Sequence, residues 1–199
     1  MKRGLALFDF DGTITTKDTL FEIIKFQRGK SAFYLGMLLL LPILVLYKLN
    51  LIPNWKAKEI VLSFFFSNRP YAEFQNKCEQ FISEALPFIL RSEALNKIKF
   101  HLKNNDRVIV VSASSYNWVE GWCTDMKLEL IATRLESKNG LLTGKLESLN
   151  CNGEEKVNRI KAYLKLAEFS PIYAYGNSEG DKPMLALADF PFYKNFNSR

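Results

Sequence analysis

The 199-residue chain has one histidine and three cysteines. Cys78, Cys123 and Cys151 are far apart, with no C-x-x-C pair. That argues against a disulfide framework and against a structural zinc site, and suits a reduced, cytoplasmic setting. A mechanism built on a histidine base has only His101, which sits among Lys97, Lys99 and Lys103 in a helical stretch with no orienting acid recognisable beside it. His101 is expected at the surface. Repeats and low-complexity tracts are absent, and no run of apolar residues reaches the ~20 needed to span a bilayer as a helix. Lys2 and Arg3 lead straight into a short apolar run with no cleavage pattern behind it, so no secretory signal is expected. Acidic residues are missing altogether between Ile23 and Lys58, a stretch that carries Lys25, Arg28, Lys30, Lys48, Lys56 and Lys58. The formal net charge of +6 is concentrated there. Helix-turn-helix, RNP and zinc patterns are lacking beneath that charge, so no nucleic-acid partner is expected; an anionic substrate or an anionic lipid remains.

What is present is a core-forming composition, 48% hydrophobic, in a chain of one-domain length. Leu5 to Phe10, Val108 to Val111 and Ile172 to Tyr175 are short apolar runs, each cut off by a polar cluster, as in buried parallel strands. Leu128 to Leu135 and Leu141 to Leu146 flank the turn Ser137-Lys138-Asn139-Gly140 and read as strands around a hairpin. A helix is expected from Glu154 to about Ala167, and another near Pro183. Between the first strand and the rest, Thr19 to Phe26, Phe33 to Leu49, Lys56 to Phe66 and Tyr71 to Leu86 read as helices. The expectation is an α/β fold: a Rossmann-like parallel sheet between helices (1–14 and 91–199), with a helical cap (15–90) inserted after the first strand. Sites in such sheets lie beyond the carboxyl ends of the strands, where the polar clusters fall.

Asp9-Phe10-Asp11-Gly12-Thr13 carries the sharpest chemistry. Carboxylates at i and i+2 just past a strand can face one site, need a cation to coexist, and as hard oxygen ligands suit Mg2+. One can then attack phosphorus while the other moves protons. A strand running into an Asp-Gly turn is the plain alternative. Ser112 could equally cap a strand, Lys156 be a solvated helix lysine, and Gly176 to Asp181 a simple turn.

Taken in order, the four segments resemble the motifs of the haloacid-dehalogenase-like phosphatases, over Leu5 to about Asp189. Val108-Ile109-Val110-Val111-Ser112 resembles the second motif, which implies that Ser112, with Ala113 beside it, binds the transferring phosphoryl group. Lys156 matches the third, a lysine neutralising nucleophile and phosphate. Gly176-Asn177-Ser178-Glu179-Gly180-Asp181 matches the fourth. The implied metal set is Asp9, the Asp11 carbonyl, Asn177 and Asp181, with Asn177 where the family usually has Asp. The implied activity is Mg2+-dependent phosphomonoester hydrolysis through an aspartyl-phosphate on Asp9, with Asp11 as general acid and base; a phosphotransferase, or a non-catalytic binding protein on the same fold, is the alternative.

Thr15-Thr16-Lys17-Asp18 resembles the phosphoserine-phosphatase-like branch, in which an acid near Asp18 reads the substrate; a helix N-cap is the other role open to Asp18. Arg69 is a candidate for binding a substrate carboxylate. Ala32 to Tyr47 is uncharged, interrupted by Gly36 and Pro42, and flanked by bases. It reads as buried cap, as a dimer contact, or as a peripheral membrane element at the cytoplasmic face. With Pro53-Asn54-Trp55 and Phe64-Phe65-Phe66 it resembles the phosphatidylglycerophosphatase C group. The substrate is thus expected to be a small phosphate such as phosphoserine, or a lipid phosphate.

Overall fold

The computed structural model describes residues 2–196. Five parallel strands form the central sheet in the order β3-β2-β1-β6-β7, with β1 (Arg3–Phe8) in the middle, β2 (Arg107–Ser115) and β3 (Glu129–Thr133) on one side, β6 (Phe169–Gly176) and β7 (Phe190–Tyr193) on the other. Because the chain winds outward first one way and then the other, the switch point falls at the carboxyl end of β1, where open α/β sheets hold their ligands. Alternation along β1 divides the core. Leu5 and Leu7 pack with Ile109, Val111 and Ala174 beneath α8 (Glu154–Tyr163) and α9 (Lys182–Leu185). Ala6 and Phe8 face Val108, Val110 and Ile98 of α6 (Ser92–Lys103). Short all-apolar strands buried on both faces are what a parallel sheet requires.

Residues 19–84 form α1 (Thr19–Arg28), α2 (Lys30–Leu39), α3 (Leu41–Lys48), α4 (Asn54–Phe66) and α5 (Tyr71–Glu84); α7 (Glu120–Asp125) follows β2. The hairpin β4 (Leu135–Lys138) and β5 (Leu141–Leu146) leaves the sheet and lies on α4. Asn68 N donates to Leu142 O and Leu142 N to Arg69 O, at 2.8 and 2.9 Å, while the Glu59 carboxylate accepts from Leu146 N. Gly144 has φ +80°, and a Cβ there would lie 2.3 Å from the Ser63 Cα, so the close approach of hairpin to helix needs glycine. The sequence division at 15–90 therefore omits a hairpin that packs on the cap helices.

Other expectations are corrected. Phe33 to Leu49 is not one helix: the chain bends by 62° at Leu40 between α2 and α3, with Pro42 in the first turn of α3 lacking the N–H a continuous helix would use. Leu128 to Leu135 divides, because Ile131 and its neighbours pair with β2 and only Leu135 onward enters the hairpin. Ser112 does not end β2, which continues to Ser115 past a register shift. The helix from Glu154 stops at Tyr163, not Ala167. β7 was not foreseen, since Phe190-Pro191-Phe192-Tyr193 is short and contains proline; Pro is tolerated there because the strand is at the sheet edge.

His101 is fully buried, contrary to expectation. Its Nδ1 lies 2.7 Å from Asp106 Oδ2 and its Nε2 2.9 Å from the Tyr175 hydroxyl. The orienting acid is five residues on, past the helix end, where left-handed Asn105 turns the chain back. Burial pushes the imidazole below its usual pKa, against the pull of Asp106.

Candidate active site

Asp9 follows β1, and its N–H donates to Tyr175 O at 2.9 Å, which ties it to the end of β6. Lys156 enters from the first turn of α8 and is 1% exposed. Its Nζ donates to Asp9 Oδ1 and Asp181 Oδ1, both at 2.6 Å, and to Val111 O at 2.8 Å. One ammonium thus serves two carboxylates. Burial drives the Asp9 carboxyl up to about 7, with Lys156 opposing and Asp181 reinforcing the rise. Asp181 goes the other way: although its burial disfavours charge, Lys156 and the Ser178 hydroxyl and N–H hold it below the ordinary carboxylate range. Burial likewise disfavours the Lys156 ammonium, but its two acids raise its pKa above the usual lysine value.

Asp11 is held by groups the sequence reading passed over. Its Oδ1 accepts from the Thr19 N–H and hydroxyl at 2.8 and 2.6 Å, and its Oδ2 from the Ser114 hydroxyl. Trp118 Nε1 donates to Thr19 Oγ1, completing a buried network. Burial, then the neighbouring Asp18, lifts Asp11 to about 6, with those hydroxyls opposing. Between Asp9 and Asp11 the chain must turn sharply. At Gly12, φ is +76° and a Cβ would meet the Asn177 side chain at 2.2 Å.

The cavity holding these groups measures about 560 Å3, the size of a small-molecule site. Asp9, Asp11, Asp18, Lys156, Asn177 and Asp181 line it together, as does Ala113. Ser112 is set behind that wall, 1% exposed, its Oγ accepting from Ser114 N at 2.9 Å. Asp18 caps α1, accepting from Leu20 N at 2.9 Å, and also faces the cavity. Arg69 lies elsewhere, in a separate depression beside Arg28 and Lys77. Two cap cations reach the cavity, Lys17, and Lys58 of α4; the Lys58 Nζ donates to Ala113 O at 2.7 Å and to Asn150 Oδ1 at 3.2 Å. Burial lowers its pKa, with Asp11 and Asp18 opposing. Ser114 could have been suspected from the run Ser112-Ala113-Ser114-Ser115. Lys58 could not, since its partners are 55 and 92 residues away.

No group of three or more His, Cys, Asp and Glu that could hold a metal occurs among the described residues. The available donors are a mixed oxygen set: the Asp9 and Asp181 carboxylates and the Asn177 amide. Thr13 Oγ1 donates to Asp9 Oδ2 at 3.0 Å and lies 3.3 Å from Asn177 Oδ1, which brings those two oxygens to the same hydroxyl. Asp9, Asp11, Asp18 and Asp181 line the cavity against Lys17, Lys58 and Lys156, leaving a negative excess that a divalent cation would offset. All-oxygen donors with that charge fit Mg2+.

A family model for haloacid dehalogenase-like hydrolases matches residues 6–186, from β1 through α9. The chain belongs to this family. Protein CicA of Caulobacter vibrioides is 30% identical over 98% of this chain and 87% of its own length. A protein of unknown function from Bordetella pertussis Tohama I superposes with a TM-score of 0.78 at 24% identity, covering 94% of this chain and 88% of that one. A phosphoserine phosphatase in its apo form gives 0.67 at 19% identity over 94% and 84% of the two chains. These two structural likenesses establish a shared fold.

Proposed function

We propose that this haloacid dehalogenase-like hydrolase is a Mg2+-dependent phosphomonoesterase working through an aspartyl-phosphate on Asp9. The observation that carries the reading is the buried Lys156 bridge between Asp9 and Asp181, at the strand ends and in one cavity with Asp11. Asp9, Asn177, Asp181 and the Asp11 carbonyl would hold the metal, which when bound neutralises phosphoryl oxygens. Lys156 supplies fixed positive charge beside the nucleophile, where burial of both side chains makes charge act strongly. An Asp9 carboxylate oxygen forms the new bond to phosphorus as the ester P–O bond breaks, and Asp11 gives its proton to the departing alkoxide. Water then attacks phosphorus, Asp11 takes a proton from it, the Asp9–phosphorus bond breaks and inorganic phosphate leaves. An acid titrating near 6 is suited to both halves at neutral pH. Thr19 and Ser114 keep its carboxylate aimed into the cavity.

The test is phosphate release with Mg2+ over a panel of phosphoserine, sugar phosphates, nucleotides and a lipid phosphate in micelles. Asp9→Asn is expected to fall to background, and Asp11→Asn to lose about 10²–10⁴-fold. Acid-quenched wild type is expected to carry phosphate on Asp9. Turnover retained in Asp9→Asn would refute the reading.

A further inference from the structure

The helix α3, Leu41–Lys48, has no buried residue, although apart from Lys48 it is made of Leu, Pro, Ile, Val and Tyr. A helix apolar on all sides is normally enclosed by its own protein. Of the twenty large apolar side chains exposed among the described residues, ten fall between Tyr34 and Leu51, so the exposure is concentrated on α2 and α3 and their exit. Leu35, Leu38, Leu39 and Leu49 are each more than 60% exposed. A concentration of exposed apolar side chains of this kind marks an interaction site. Among the described residues no single helix is long and apolar enough to cross a membrane, and the α2–α3 pair is bent by 62°.

We propose that α2 and α3 are a docking element for an anionic lipid surface, and that the enzyme takes its phosphoester from that surface. Charge selects the partner. Arg28, Lys30, Lys48 and Lys56 are exposed around the apolar helices, with no acid from Ile23 to Lys58. Exposed cations beside exposed Leu, with Tyr34, Tyr47 and Trp55 exposed as well, match an anionic headgroup layer over acyl chains. A symmetric dimer through the same face would bring these cations towards their own copies. The second half rests on the phosphatase reading. Leu44 and Tyr47 of α3 also line the cavity, together with Leu20, Phe21 and Val61, so an apolar wall runs from the docking helix towards Asp9 and Asp11. An amphiphilic phosphomonoester can lie along that wall with its phosphate at the carboxylates.

The experiment pairs vesicle co-sedimentation with activity. Wild type is incubated with phosphatidylcholine vesicles and with vesicles containing phosphatidylglycerol; Leu38→Glu/Leu39→Glu and Lys30→Glu/Lys48→Glu are run beside it. Co-sedimentation is expected with the anionic vesicles, weakened at least tenfold by the leucine pair and at least fivefold by the lysine pair. Hydrolysis of p-nitrophenyl phosphate, a soluble ester, is expected to stay within twofold of wild type in both variants, which shows them folded. Wild type is further expected to hydrolyse phosphatidic acid in anionic vesicles at least tenfold faster than a short-chain soluble analogue, with the leucine pair erasing the difference. Failure to sediment with any vesicle while p-nitrophenyl phosphate is cleaved overturns the docking proposal alone. Light scattering showing a dimer that the leucine pair dissolves, with no vesicle binding, overturns it in favour of a second copy. Sedimentation without hydrolysis of any ester leaves docking standing and overturns the phosphatase reading and the lipid-substrate step built on it.

Discussion

Replacing Lys156 with methionine tests the electrostatic logic of the site. The side chain keeps its approximate length, but three acceptors lose their donor: Asp9 Oδ1, Asp181 Oδ1 and Val111 O. Removing one partner from a buried ion pair costs about 3–5 kcal/mol, because the stranded charge stays in low dielectric. For a protein of this size each kcal/mol moves the midpoint by roughly 2–4 °C, so Tm should fall by about 6–20 °C. The assay is thermal unfolding in chelator at pH 8 and again at pH 5. Without Lys156, the Asp9 carboxyl, already lifted to about 7 with the lysine in place, stays above its unfolded value of about 3.9. A group with a raised folded pKa contributes its stability below the unfolded pKa and loses it as pH rises through the folded one. The deficit of the variant should therefore be largest at pH 8 and shrink at pH 5, where the proton replaces the ammonium. Lys156→Met/Asp181→Asn should recover part of the loss, since only Asp9 then remains unanswered. A deficit under about 1 kcal/mol, or one independent of pH, would refute the reasoning.

Three further outcomes follow from the same distances. Mg2+ should raise Tm more at pH 8 than at pH 5.5, because Asp9, lifted to about 7 by burial, is held by a proton at the lower pH and must release it to a metal; equal shifts at both would count against Asp9 as a ligand. Lys58→Met removes a cation facing Asp11 and Asp18, so the acid titrating near 6 in the pH profile of kcat/KM should move upward; an unmoved profile would mean Lys58 only braces α4 against Ala113. His101→Ala leaves Asp106 and the Tyr175 hydroxyl without their partner and should cost about 1–3 kcal/mol at pH 8. Because burial depresses the His101 pKa, the wild-type stability it supports is complete above the unfolded value of about 6.5 and lost as pH falls below it. Urea unfolding at pH 5.5 should therefore show a smaller gap between His101→Ala and wild type than at pH 8.

The sheet was legible because each strand announced itself locally. Leu5 to Phe8, Val108 to Val111 and Ile172 to Tyr175 are apolar on both faces, and only a sandwiched parallel sheet uses such runs. The site was legible for the same reason, since Asp9, Asp11, Asn177 and Asp181 are fixed by their position just after a strand. What escaped depended on contacts distant in sequence. His101 looked like one more polar residue in a lysine-rich helix; its burial is set by Tyr175, 74 residues away, and by Asp106 across a turn. Lys58 looked like part of a basic stretch, and only the closure of α4 over Ala113 makes it a cavity residue. The break at Leu40 shows the reverse case: Pro42 marked it, but apolar continuity across the site argued for a single helix.

Asn177 is where sequence and geometry bear on one question, whether the loss of a carboxylate unmakes the site. A third acid beside Asp9 and Asp181 would face one lysine already shared between the two of them. The amide avoids that repulsion while keeping an oxygen near Thr13 and Asp9. Its Nδ2 lies against Gly12, where a Cβ would come within 2.2 Å of it. The backbone N–H of Asn177 also donates to Asp181 Oδ2 at 3.1 Å, so this residue steadies the acid that shares Lys156. Charge in the site then comes from Asp9 and Asp181, and Asn177 contributes position. That division is why the substitution is compatible with the catalytic reading, and why removal of Asp181 should harm the site more than any exchange at 177.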